Sequence, residues 1–395
     1  MMKTIAFHCL LSAVLLATNA HADWLQFRGS DSTGVAEGEA PTKFNGESSI
    51  AWSLDLPGRG LSSPIVIGDN VVVTASSGPN QELLHIICAD TASGEIRWER
   101  RFWATGRTMT HKKTSVAAPT PCSNGELIFA YYSSNDLFCV DLEGNLQWLR
   151  GLGYDYPNAS NSLGMASSLL VTDDALIVQS ENDSDSFAAG LDLQTGQNLW
   201  RKLRPKGANW TSPVALGKEV VALQSTKGVL AVVPATGSEL WNFGDGASPT
   251  PSSVLSDGVL YIPSNGITAL KPNDKGGEPE KLWTNGQISP GTGSPIVIGD
   301  RIYSVKGSFV SAAAKATGEE IWKIRADGPF SSSPVAAGNY IYQFNEQGRG
   351  MIIDVSGEEG EVVSQIELGE VILSTPAIAD GAIFIRSDGH LWKLQ

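Results

Sequence analysis

The chain has 395 residues, and its 42 acidic against 28 basic side chains give a net charge of −14. So acidic a surface repels a phosphate backbone and argues against a nucleic-acid partner. Past the leader, no stretch nears the ~18 consecutive apolar residues of a membrane span.

In chain order, residues 1–22 read MMKTIAFHCLLSAVLLATNAHA, with Lys3 ahead of a short apolar run and Ala20 and Ala22 just before Asp23. This is the pattern of a secretory signal peptide, too short for a transmembrane helix. It predicts cleavage near Ala22/Asp23 and a periplasmic or extracellular protein. No cysteine stands just after that point to carry a lipid, the next being Cys88. Cys88, Cys122 and Cys139 sit in apolar runs and read as buried thiols, with one disulfide pair left open. Residues 23–49 lack the pattern that follows. Trp24 and Phe27 predict an ordered strap docked on the next domain, and the Gly/Ser/Glu-rich remainder a loop.

From residue 50 onward the sequence repeats itself. Stretches such as SSPIVIGDNVVVTAS, TSPVALGKEVVALQS and SSPVAAGNYIYQFNE recur with Pro64, Pro121, Leu169, Pro213, Ser252, Pro295, Pro334 and Pro376 at matching positions, about 45 residues apart. Each copy holds four strand signals separated by Gly/Asp turns, and no segment carries a sustained helical period. The third turn has a glycine four residues before a tryptophan, as in Gly94 and Trp98 or Gly196 and Trp200. Four strands per repeat with a tryptophan signature predict an all-β protein, an eight-bladed β-propeller of four-stranded antiparallel blades. The eighth copy stops after three strands, and IAWSLDLP at 50–57 supplies the fourth, so the N-terminal strand closes the ring. The seventh copy has Ser364 where tryptophan is expected, which predicts weaker packing at that blade's outer edge. The domain boundaries are thus 1–22 leader, 23–49 arm and 50–395 propeller.

The phrase CADTASGEIRW at 88–98 returns as GLDLQTGQNLW at 190–200 and AAAKATGEEIW at 312–322. It resembles the repeat of pyrroloquinoline-quinone (PQQ) type propellers, a superfamily that includes quinoprotein dehydrogenases and non-enzymatic BamB-like proteins. The resemblance covers Ala51 to Gln395. The repeated residues are explained as turns and blade packing, so they indicate fold rather than activity.

Likeness to the dehydrogenases implies a quinone over the central channel with a Ca²⁺ ligand set and, in many relatives, a disulfide between adjacent cysteines. The chain has no adjacent cysteines and lacks long inter-blade insertions. Glu181, Asn182, Asp183 and Asp185 in SENDSDSF are weak metal candidates. The run lacks the glycine and terminal glutamate of an EF-hand loop, and a solvated acidic loop explains it. Hydrolase motifs such as G-x-S-x-G are absent, and His85 and His390 read as packed or turn residues.

Two enlarged connections remain. Residues 107–121, RTMTHKKTSVAAPTP, gather Arg107, His111, Lys112 and Lys113 in an acidic protein. They read either as a solvated basic loop or as a contact for an anion or peptide carboxylate. Residues 151–165 include Tyr154, and with Arg59, Asn209 and Trp210 they could line the same face, either as recognition anchors or as ordinary loop packing. The expectation is an exported, non-catalytic, BamB-like monomer without a cofactor that binds protein or extended peptide. The alternative is a quinone- or metal-dependent oxidoreductase using PQQ with calcium. Glycan binding fits the aromatics but has no specific signal.

Overall fold

The computed structural model describes residues 23–159, 163–273 and 275–395; the leader expected over 1–22 lies outside the described residues. Eight antiparallel blades of four strands each follow one another around a central channel, the seventh carrying one added parallel strand, with only short helical turns among the described residues. The first blade is built from Ile65–Ile67, Asn70–Ser77, Leu83–Asp90 and Ile96–Trp103, from channel to rim. Its second and third strands are buried on both faces because each blade is sandwiched between two neighbours, so they read as continuous apolar runs. The outer strands are partly exposed. No described helix is long and apolar enough to cross a membrane.

A repeated irregularity aims the tryptophans. In every blade the pairing between third and outer strands slips by one residue, so Arg97, for example, is passed over between Cys88↔Trp98 and Ala89↔Ile96. The same slip precedes Trp148, Trp200, Trp241, Trp283 and Trp322. Such a bulge bends and twists the strand. It leaves Leu199, Leu282 and Ile321 exposed while the next side chain turns toward the neighbouring blade. Trp98 Nε1 donates to Leu142 O at 2.7 Å, and a Cβ on Gly144 would come within 2.6 Å of the Trp98 ring. Gly144 has φ +80°, which side-chain-bearing residues resist. Gly94, Gly196, Gly237, Gly318 and Gly360 seat Trp52, Trp148, Trp200, Trp283 and Trp322 in the same way, whereas Gly276 and Gly277 in the inserted fifth turn do not meet Trp241.

The ring closes as expected. Ile50–Asp55 pairs with His390–Leu394 to complete the eighth blade. Trp52 Nε1 donates to Thr91 O at 3.1 Å, and Trp52 seats on Gly94 of the first blade. Arg386, buried between these blades, donates to Thr74 O at 2.6 Å and Gly58 O at 3.2 Å.

Three details differ from the expectation. The serine matching Pro213 is Ser253, because Ser252 aligns with Ser212; the fifth copy lacks the proline that marks the register elsewhere. The seventh blade's edge is filled: Phe44 of the arm is buried there, and its N–H donates to Ser364 Oγ at 2.8 Å. Phe44→Ala is expected to cost about 3 kcal/mol in urea unfolding, as an intrinsic tryptophan would. The arm also does more than dock outside. Trp24 pairs with Val66 on the first inner strand, Leu25 O accepts from Ser123 N, and Val35–Ala36 runs parallel to Ala336–Ala337 of the seventh blade. Arg28, fully buried, donates to Thr33 O at 3.0 Å and to Pro295 O; burial pulls its guanidinium down to about 9. Residues 24–36 therefore lie inside the channel, closing it from the side of the hairpins that join first and second strands.

Candidate functional site

What the plug leaves open is a funnel on the opposite face, of about 210 Å³, with Phe27 of the arm at its floor. Each blade places one hydroxyl on its wall just before the inner strand, and Thr114, Thr250, Thr292 and Ser331 also line it. The hydroxyls before the inner strands are linked head to tail. Ser63 N donates to Thr120 Oγ1 at 3.0 Å, Thr120 N to Ser168 Oγ at 3.1 Å, Ser168 N to Ser212 Oγ at 3.0 Å and Ser212 N to Ser252 Oγ at 2.9 Å. Ser252 N then donates to Ser294 Oγ, Ser294 N to Ser333 Oγ and Ser333 N to Thr375 Oγ1, each at 2.9 Å. In four blades the residue before the ring member has a separate task. Ser62, Thr211, Ser332 and Ser374 donate to Thr74, Gln224, Phe344 and Arg386 carbonyls of their own blades. The doubled hydroxyl before proline was visible in SSP, TSP and STP, but Ser and Thr there read as turn residues. Nothing in one copy reveals the ring.

The mouth gathers several of the predicted residues. Arg59 donates to Lys112 O at 2.6 Å, Thr114 O at 3.0 Å and Asp388 Oδ1 at 3.2 Å, pinning the 107–115 connection. Lys113 reaches across to the seventh blade and ion-pairs with Glu346 at 2.8 Å, which Ser331 Oγ also contacts. The next connection is tied to this one by His111 N and Thr114 Oγ1, which both donate to Leu163 O. Trp210 then donates from Nε1 to Gly164 O at 2.8 Å. Lys113 and Trp210 line the funnel, while His111 and Lys112 are exposed above it. Arg107 lies farther out, beside exposed Met109 in a surface groove between residues 80–82 and 104–110.

Other predicted residues fall elsewhere. Tyr154, 83 % exposed on the outer rim, does not line the funnel. Asn209 is buried and donates to Gln224 O at 2.9 Å. Glu181 is not a solvated loop residue: its carboxylate is buried and accepts from Arg204 Nε at 2.7 Å and Gln179 Nε2 at 3.2 Å. Burial outweighs the arginine's attraction and pushes the Glu181 carboxyl up to about 7. Asp185 accepts from Asn158 N, and among the described residues Glu181, Asp183 and Asp185 form no metal-binding cluster. Cys88, Cys122 and Cys139 are all free and buried.

One constellation was missed. Ser77 Oγ lies 2.7 Å from His85 Nε2, and His85 Nδ1 lies 2.6 Å from Glu99 Oε1. The geometry is that of a nucleophile–base–acid relay. The His85 ring, however, is buried, and the backbone of Gly58 covers Ser77 so closely that an added Cβ would come 2.9 Å from Ser77 Cβ. The relay ties three strands of the first blade at its upper edge.

A family model described as outer membrane protein assembly factor BamB matches residues 42–167, 158–309 and 306–395. The chain belongs to this family. A BamB of Alkalilimnicola ehrlichii is 26 % identical over 207 residues, 52 % of this chain and 49 % of the relative. The chain thus spans about half the length of that relative. Among solved structures, BamB from Moraxella catarrhalis superposes with a TM-score of 0.64 at 18 % identity, covering 88 % of this chain and 97 % of that one. The quinohemoprotein alcohol dehydrogenase of Comamonas testosteroni gives 0.70 at 12 % identity, covering 94 % and 80 %. At such identities these two likenesses speak for the fold alone.

The quinone and calcium of the dehydrogenase branch can be tested against the BamB-family funnel. A triply acidic quinone calls for facing cations, and calcium for six to eight oxygen ligands that usually include carboxylates. The funnel wall offers one cation, Lys113, already paired, and no carboxylate. The residues present do not fit that group.

Proposed function

We propose that this BamB-family propeller is an exported, non-catalytic scaffold that binds a segment of another protein on the funnel face. The supporting observation is that Arg107, His111 and Lys112 are all exposed on one connection, with Trp103 and Met109 exposed on the same stretch of chain, and that Arg59 pins this connection in place. Aromatic and basic groups on a rigid support form an anchor for an acidic or amphipathic segment, in a chain whose net charge is −14. The relatives' name, outer membrane protein assembly factor, makes an outer-membrane assembly component the partner class.

The test is co-purification of tagged protein with such a component from envelope extracts. Arg107→Glu with Lys112→Glu is expected to reduce capture by at least tenfold. Lys218→Glu, exposed on the opposite face beside Asp173, should leave it unchanged. Equal capture by all three forms would remove the funnel face as the docking surface.

A further inference from the structure

We propose that the hydroxyl ring is a carboxylate-binding site, taking one carboxylate from an inserted acidic side chain or chain end of a partner, or from a small free acid. The first source rests on the partner reading above.

The inference comes from counting donors and acceptors. From Thr120 around to Thr375, each ring oxygen has one lone pair engaged by the N–H of the preceding blade. None of these hydroxyls donates to a protein acceptor among the described residues. Their O–H groups are therefore unspent, while their accepting capacity is half used. All eight ring residues are at least nine-tenths buried and all line the funnel. Buried donors without acceptors select a ligand rich in acceptors, as preorganised O–H and N–H groups do for oxyanions.

Charge narrows the class to a single carboxylate. No aspartate or glutamate lines the funnel to repel an anion, and Lys113 stands at its rim. A phosphate dianion calls for several cations, and only this lysine is present, with Glu346 already beside it. Repulsion from the chain's net charge is screened beyond ~8 Å at physiological salt, whereas the donors act at contact. Size agrees: about 210 Å³ holds roughly seven waters at ~30 Å³ each, which is room for the end of one side chain. Phe27, Leu61 and Leu373 supply an apolar floor and wall for its methylene portion. With the far end closed by the arm, entry is from the funnel face only.

The experiment is calorimetric titration of the full protein with acetate, with an uncharged-ended Gly-Asp-Gly peptide, and with the same peptide carrying Asn. Asp and Asn have nearly the same shape, so this comparison needs no variant. The expected result is saturable one-to-one binding of an acid, with the Asn peptide at least tenfold weaker. Ser212→Ala with Ser294→Ala should weaken acid binding at least tenfold. Because these hydroxyls also join blades, Lys113→Met serves as a second variant, with a smaller loss expected. Acetate binding as tightly as the Asp peptide identifies a small free acid as the source, and binding of the peptide alone identifies a partner segment. Equal affinity for Asp and Asn peptides, or no saturation at millimolar concentrations, overturns the proposal. In that event the partner reading stands or falls on the Arg107 and Lys112 variants alone.

Discussion

Trp52→Ala should destabilise the propeller by about 3–5 kcal/mol, the usual cost of truncating a packed tryptophan, and the damage should be localised at the seam. Trp52 lies on the one outer strand that does not follow its blade in sequence. Its ring packs 6.0 Å from Phe384, its Nε1 bonds Thr91 O at 3.1 Å, and its face covers Gly94. Trp98 has equivalent contacts with the second blade, but its strand is held by a short turn to the strand it pairs with. The two alanine variants should therefore lose similar stability in urea. They should differ under limited proteolysis, with new cleavage within 37–49 for Trp52→Ala and none there for Trp98→Ala. Identical cleavage patterns would show that the seam is no weaker than any other joint.

The buried pair Glu181–Arg204 should respond asymmetrically to loss of either partner. Glu181→Gln leaves a buried guanidinium, which stays charged across neutral pH, and should cost about 3–5 kcal/mol. Arg204→Met leaves a carboxyl that can take up a proton, so its cost should be smaller at pH 5 and grow toward pH 8. The sign in the unaltered protein follows from the same group. Its carboxyl titrates at about 7 when folded against 4.5 as the ordinary value, so the folded state binds the proton more tightly. This contribution to stability is present below pH 4.5 and is lost as pH rises to 7. Glu181→Gln should flatten that slope. The double variant, which buries neither charge, should recover most of the loss. Urea midpoints at pH 5, 6, 7 and 8 for the four proteins decide it; a slope unchanged in Glu181→Gln would assign the pH dependence to other groups.

Much of the fold was legible because a repeat averages out local ambiguity. Eight copies of one phrase fixed the blade count, and an orphan strand with Trp52 at one end matched three strands at the other. What stayed hidden lacked that redundancy. Residues 24–36 have no periodic pattern, since they hold their place through backbone pairing with Val66 and Ala336 and through Arg28. Phe44 replaces a tryptophan 320 residues away in sequence. Glu181 stood in a run of acidic and polar residues that looked solvated, and its partner Arg204 lies 23 residues on. The connections at 107–115 and 151–165 were placed on one face from connectivity, which holds for Leu163 and Gly164 but not for Tyr154 on the outer rim. Whether Asn209 or Trp210 would reach the mouth depended on packing that no single repeat encodes.

The closed channel also constrains how the molecule comes into being. The plug is synthesised first, yet the wall that encloses it is finished by His390–Leu394 at the other end of the chain. Until those residues arrive, Ile50–Asp55 is a strand without a sheet, and contacts this distant in sequence form slowly. A growing chain therefore carries an unpaired edge through nearly the whole of its synthesis, the kind of surface that aggregates or recruits chaperones. Premature stops near the C-terminus should accordingly be cleared as misfolded protein rather than accumulate as seven-bladed rings.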